Sequence, residues 1–316
     1  MKLSVAVLST LAAAAVAVPA PRSNLKARHA NRKAVEHGKK QINSIGVSPA
    51  SLIHAADDLN VLGGLLATPE SASSAATTDV VDATNSTDDD GAPSHPATAQ
   101  KTVGNVDYNE SWAGSVVTGS GMTGVSGSFV VPEPKIPTSG QVDAQEHVAS
   151  VWIGMDGYNC GDGGLWQAGV DATVDSSGTS YYAWYEWYPS STVEIDLGGV
   201  TAGDTIFINI TSGGDYKSGQ IYMENKSTGK TYSNTVTDST ALCSTAIDWI
   251  VEDLIVDSST YGLADFGTVT FSNVTGTSSS GSVTLDGAHM LDIQDSDGTQ
   301  LTSSSTTSNS VVVTYQ

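Results

Sequence analysis

Basic residues are scarce in this chain: 13 Lys and Arg stand against 34 Asp and Glu, a formal net charge of −21 at pH 7. So negative a chain repels polyanions, which excludes nucleic acid as a partner. Cysteine is scarcer still, with only Cys160 and Cys243, too few for a zinc-binding cluster. HExxH pairs, GxSxG elbows and paired Asp-Ser/Thr-Gly motifs are absent, and after residue 101 the only histidines are His147 and His289. Zinc, serine and pepsin-like hydrolysis therefore lack their parts, and no metal site is expected. Beyond the first twenty residues no stretch approaches the roughly 18 apolar residues of a membrane helix, so no membrane partner is expected. Gly119, Gly121 and Gly124 spell GxGxxG, but the residues that follow read as a strand where a phosphate cradle needs a helix. No cofactor is implied.

Three regions differ in composition. Met1 and Lys2 precede an apolar stretch over 3–18 and small residues up to Ala20, the layout of a secretory signal peptide over 1–20. Residues 21–101 are rich in Ala, Ser, Thr and Asp, without aromatics or strand alternation, and read as a prosegment and linker. Their charge is divided: Arg22, Lys26, Arg28, Arg32, Lys33, Lys39 and Lys40 stand against the single acid Glu36, and acids ending in Asp88, Asp89 and Asp90 follow. From Thr102 onward only Lys135, Lys217, Lys226 and Lys230 balance twenty-five acids, so residues 102–316 carry the whole net charge. This segregation suggests an electrostatic latch in which the prosegment is an intramolecular inhibitor, released when carboxylates protonate in an acidic medium. The expected product is a secreted, extracellular monomer.

An even cysteine count in an oxidising compartment predicts one Cys160–Cys243 disulfide, contributing roughly 4 kcal/mol in the chain-entropy picture. Sequons for N-glycosylation fall at Asn109, Asn209, Asn225 and Asn273, with another at Asn85 in the prosegment.

Runs rich in Val, Ile, Thr, Tyr and Trp recur over 127–132, 147–153, 181–188, 205–210, 219–224, 268–271, 282–285 and 310–315, separated by Gly, Ser, Asn and Asp. Asp175, Ser176, Ser177 and Gly178 read as a turn. Helical periodicity is suggested only at the start of 245–254. The pattern predicts an all-β domain, an antiparallel β-sandwich of two packed sheets in the manner of a concanavalin-like jelly roll. Alternation puts Gln167, Gly169 and Asp171 on one strand face, with Trp166, Ala168 and Val170 on the other. Trp184 and Glu186 share a face, as do Asp248, Ile250 and Glu252. Each polar side alone reads as the wet face of a sheet. Three such strands, with the aromatic density of Trp184, Tyr185, Trp187 and Tyr188, suit a cleft for an extended polymer.

Four segments in order, 151–157 (VWIGMDG), 165–171 (LWQAGVD), 183–189 (AWYEWYP) and 246–254 (AIDWIVEDL), resemble the motifs of the glutamic peptidases, or eqolisins. The resemblance runs from about Trp112 to the C-terminus. It implies an acid-active endopeptidase on a two-sheet sandwich, with Gln167 and Glu252 as the catalytic dyad. Asp171, Glu186 and Asp156 would be supporting acids, Trp152 and Trp184 cleft aromatics, and Cys160–Cys243 the family disulfide. Asp248 stands where Glu is usual, Met155 where Ile or Val is, and Trp166 where Leu is common.

Such a dyad can hydrolyse an amide. A glutamate, ordinarily titrating near about 4.3, takes a proton from water and returns it to the leaving nitrogen. A glutamine amide does not titrate, so it still donates to the oxyanion at low pH, where a histidine is locked protonated. Protein or peptide substrates follow from this reading. Two rivals use the same residues: a glycoside hydrolase working through Glu186 and Glu252, and a non-catalytic carbohydrate-binding module whose aromatics stack on sugars. The first leaves Gln167 without a role, and neither needs a charge-segregated prosegment.

Overall fold

A computed structural model describes residues 106–138, 144–254 and 261–316. The expected signal peptide and prosegment, with Asn85, lie outside the described residues. Seventeen strands and no helix occupy the described residues, in two sheets.

The first sheet runs β1 (Val106–Asn109), β15 (His289–Ile293), β2 (Trp112–Thr118), β11 (Ala246–Glu252), β4 (Glu146–Asp156), β5 (Leu165–Asp175), β6 (Gly178–Tyr188) and β7 (Val193–Glu194). A short β12 (Tyr261–Leu263) pairs with the start of β4. The second runs β10 (Lys230–Thr237), β9 (Ser218–Asn225), β8 (Thr205–Ser212), β3 (Met122–Val130), β13 (Thr268–Ser278), β17 (Ser310–Tyr315) and β16 (Thr302–Thr306), with β14 (Gly281–Val283) against β13. This is the expected all-β sandwich, with two departures from pure antiparallel pairing: β1 lies parallel to β15, and β12 parallel to β4.

Alternation decides what lies between the sheets. From the first sheet come Val151, Ile153 and Met155, then Trp166, Ala168 and Val170, then Ile247, Trp249 and Val251. The second sheet answers with Ile206, Ile208, Ile210, Phe129, Phe271 and Val311. Each such side chain contributes roughly 1.5–3 kcal/mol on leaving water. Two of the interior indoles are satisfied, Trp249 Nε1 donating to the Ser126 carbonyl at 3.1 Å and Trp187 Nε1 to that of Thr240 at 2.9 Å, while Trp166 Nε1 has no hydrogen-bond partner among the described residues.

The helical hint at 245–254 is overturned: the segment is strand β11, sandwiched between β2 and β4, so its period is two and both its faces are buried. A central strand buried on both faces shows no polar alternation, which is also why β2 escapes a sequence reading. β10 escapes it for the opposite reason, being an exposed edge strand with almost no buried residue. The turn at Asp175–Gly178 closes the β5–β6 hairpin as read, with the Ser177 N–H donating to Asp175 Oδ1 at 2.7 Å. The GxGxxG glycines lie at the β2–β3 turn and in β3 itself, with no helix following.

Candidate active site

Strands β11, β4, β5 and β6 are neighbours, and their register lines up the side chains pointing away from the interlayer core in three rows. The first row is Asp248, Gly154, Gln167, Glu186; the second Ile250, Trp152, Gly169, Trp184; the third Glu252, Ser150, Asp171, Tyr182. Every expected site residue of these strands thus lies on one sheet face. All of them are buried in the described structure, Glu252 and Asp171 at 1% exposure and Gln167, Glu186, Trp152 and Trp184 at 0%.

Gln167 and Glu252 stand diagonally across this face, two strands and four residues apart, with Trp152 between them. Each has its own hold on the sheet face. Trp152 Nε1 donates to Glu252 Oε2 at 2.9 Å. Gln167 Nε2 donates to Glu186 Oε2 at 2.9 Å, while Glu186 Oε1 accepts from Thr192 Oγ1 at 3.0 Å. Asp171 Oδ1 accepts from Ser150 Oγ at 2.6 Å and from Trp184 Nε1 at 2.8 Å. Trp184, expected as a cleft aromatic, is thus a buried hydrogen-bond donor. Ser150 and Thr192 were missed from sequence. Counting back by two from Trp152 would have put Ser150 on the face; nothing in a short loop after β6 marks Thr192.

Asp156 acts at the edge of the face. At the end of β4 it accepts the N–H groups of Ser244, Thr245 and Ala246 at 2.8, 2.8 and 3.0 Å, joining β4 to the start of β11. The Cys160–Cys243 disulfide, with 5.8 Å between Cα atoms, ties the same two segments together. Asp248 is different. It is fully buried, and neither of its oxygens has a hydrogen-bond partner among the described residues. Burial, and then the neighbouring Asp156 charge, push its pKa well above the ordinary value of 3.8.

The remaining sequence candidates fall outside the site. His147 is buried on the interlayer side of β4 and His289 is half-buried beside Tyr158, with ring centroids 6.0 Å apart. Among the sequons, Asn225 is buried and spends its amide on Asp204 at 2.9 Å, and the Asn109 side chain bonds the backbone of Ser111 and Trp112. Asn209 is half-buried on β8 and Asn273 exposed on β13.

Residues 110–315 match the model of the Peptidase A4 family. Aspergillopepsin-2 of Aspergillus niger is 36% identical over 226 residues, 67% of this chain and 79% of that protein. Scytalidopepsin B of Scytalidium lignicola is 34% identical over 144 residues, 44% of this chain and 50% of that protein. Among solved structures, scytalido-glutamic peptidase with a transition-state analogue inhibitor superposes with a TM-score of 0.57 at 28% identity, over 66% of this chain and 98% of that one. The aspergilloglutamic peptidase of A. niger gives 0.50 at 37% identity, over 54% and 99%. Fold and relatives together define a peptide-bond hydrolase of the glutamic type. The chain belongs to the Peptidase A4 family, the glutamic peptidases or eqolisins.

Proposed function

We propose that this endopeptidase works through Gln167 and Glu252 on a water held between them, in a secreted enzyme restrained by its own prosegment. The observation that carries the reading is the separate hold on each side chain, Trp152 on Glu252 and Glu186 on Gln167, on one sheet face. As a carboxylate, Glu252 removes a proton from water as the oxygen attacks the scissile carbonyl. The C=O π pair moves to oxygen, giving a tetrahedral oxyanion. When the C–N bond breaks, Glu252 returns the proton to the leaving amine. Gln167 suits the other half of the work. Its NH₂ donates to the oxyanion while Oε1 accepts from the water, and Glu186 Oε2 anchors the amide.

Asp171 would keep Ser150 and Trp184 in place, and Asp156 would set where β11 enters the sheet. The glycosidase reading leaves Gln167 without a chemical role, although Gln167 is held on this face by Glu186. A signal-peptide layout supports secretion, and the basic run over 22–40 supports a latch against an anionic domain.

The test is Glu252→Gln in the mature enzyme, assayed on an unfolded protein at acid pH. Activity should fall at least about a thousandfold with the melting temperature nearly unchanged. Digestion at the unmodified rate would refute the assignment.

A further inference from the structure

Gly154 lies inside β4, two residues from its end, in a central strand where glycine weakens the pairing and needs a reason. The reason is not the backbone, because Gly154 is not among the glycines with positive φ. It is space. A Cβ built there would stand 2.8 Å from Cζ3 and 3.2 Å from Cε3 of Trp152, and 3.1 Å from Cβ of Gln167.

Those contacts fall on both halves of the proposed dyad. Cζ3 and Cε3 form one edge of the Trp152 indole; Nε1, on the opposite edge of the same rigid bicycle, donates to Glu252 Oε2 at 2.9 Å. Nor can the ring retreat easily. Trp112 packs edge-on against it with centroids 5.0 Å apart, and Gly169 lies so close beneath that a Cβ there would be 2.6 Å from Trp152 Cβ. The other neighbour, Gln167 Cβ, is next to main chain and cannot swing aside as the tip of a long side chain can.

We propose that Gly154 is a positioning residue for peptide hydrolysis: its missing side chain lets the Trp152 indole lie between Gln167 and Glu252 and so sets where the Glu252 carboxylate stands. The proposal rests on the reading of Glu252 as the proton acceptor. A methyl group at 154 pushes on the edge of the ring opposite Nε1. The ring must turn, and the Nε1–Glu252 bond is lengthened or lost while Gln167 is displaced at its root.

Gly154→Ala, Trp152→Phe and the double variant of the mature enzyme test this, through kcat and KM on a peptide substrate across the acid range, with melting temperatures alongside. Trp152→Phe removes a donor that favours the charged carboxylate, so the acid limb of the rate profile should move to higher pH. Gly154→Ala should move the limb the same way and lower kcat about 10- to 100-fold, with KM changed less than about threefold, as a misplacement of about 1 Å costs. The double variant should move the limb no further than Trp152→Phe alone, because both changes act on one hydrogen bond.

If Trp152→Phe moves the limb and Gly154→Ala lowers only the melting temperature, the glycine serves packing and the inference fails while the function stands. If Trp152→Phe leaves the limb in place, the role given to Glu252 fails and the inference with it. Should Gly154→Ala not fold, recovery of folding in the double variant shows methyl and indole competing for one space; an unfolded double variant overturns the proposal.

Discussion

Replacing Asp248 by Asn should make the enzyme less sensitive to rising pH. The carboxyl is fully buried on β11, and its row reads His289, Val116, Asp248, Gly154, Gln167, Glu186, with Asp156 the charge that acts on it. Burial, then Asp156, raise its pKa well above 3.8, so the folded state holds the proton more tightly than the unfolded chain does. Below the unfolded value both states are protonated and nothing is lost. Above it the unfolded chain releases the proton and the folded one does not, so stability falls by about 1.4 kcal/mol per pH unit until the folded pKa is reached. For a domain of this size that is about 3–6 °C of melting temperature per pH unit. Asn cannot ionise, so this part of the slope should vanish. Burying an amide without acceptors costs about 1–3 kcal/mol at every pH, which shifts the whole curve but not its slope. Thermal unfolding followed by circular dichroism from pH 3 to 7 at fixed ionic strength separates the two effects. The general repulsion of a net charge of −21 is almost the same in both proteins and cancels in the difference. Equal slopes for the two proteins above pH 4 would refute the argument.

Two further outcomes are expected. Asp156→Ala strands three backbone N–H groups at the entry to β11, at about 1–3 kcal/mol for each that stays buried, so urea unfolding should show a loss of several kcal/mol. An unchanged urea midpoint would show that the strand entry is held by something else. A peptide spanning residues 21–101 added to mature enzyme should inhibit at weakly acid pH, less as pH falls or salt rises; inhibition indifferent to both would remove the electrostatic latch.

Much of the site was legible because strands convert spacing into geometry. A period of two put Gln167 and Asp171 on one face of β5 and Asp248 and Glu252 on one face of β11, whatever the rest of the chain did. The four motif blocks supplied the family, and the count of two cysteines supplied the pairing of Cys160 with Cys243. Strands that break the pattern were not legible: β2 is buried on both faces, β10 is an open edge, and β11 was read in part as helix.

Alternation and composition by themselves determined the acidic β-domain and its strand faces, since these depend on residue types and on neighbours one or two positions away. Tertiary structure alone decided which strands lie side by side. Only that order sets β4 between β5 and β11, so that Trp152 reaches Glu252 across 100 residues of chain and Asp156 catches the start of β11. Register between strands distant in sequence is a property of the packed sheets, fixed by how two faces exclude water together, and no local pattern encodes it.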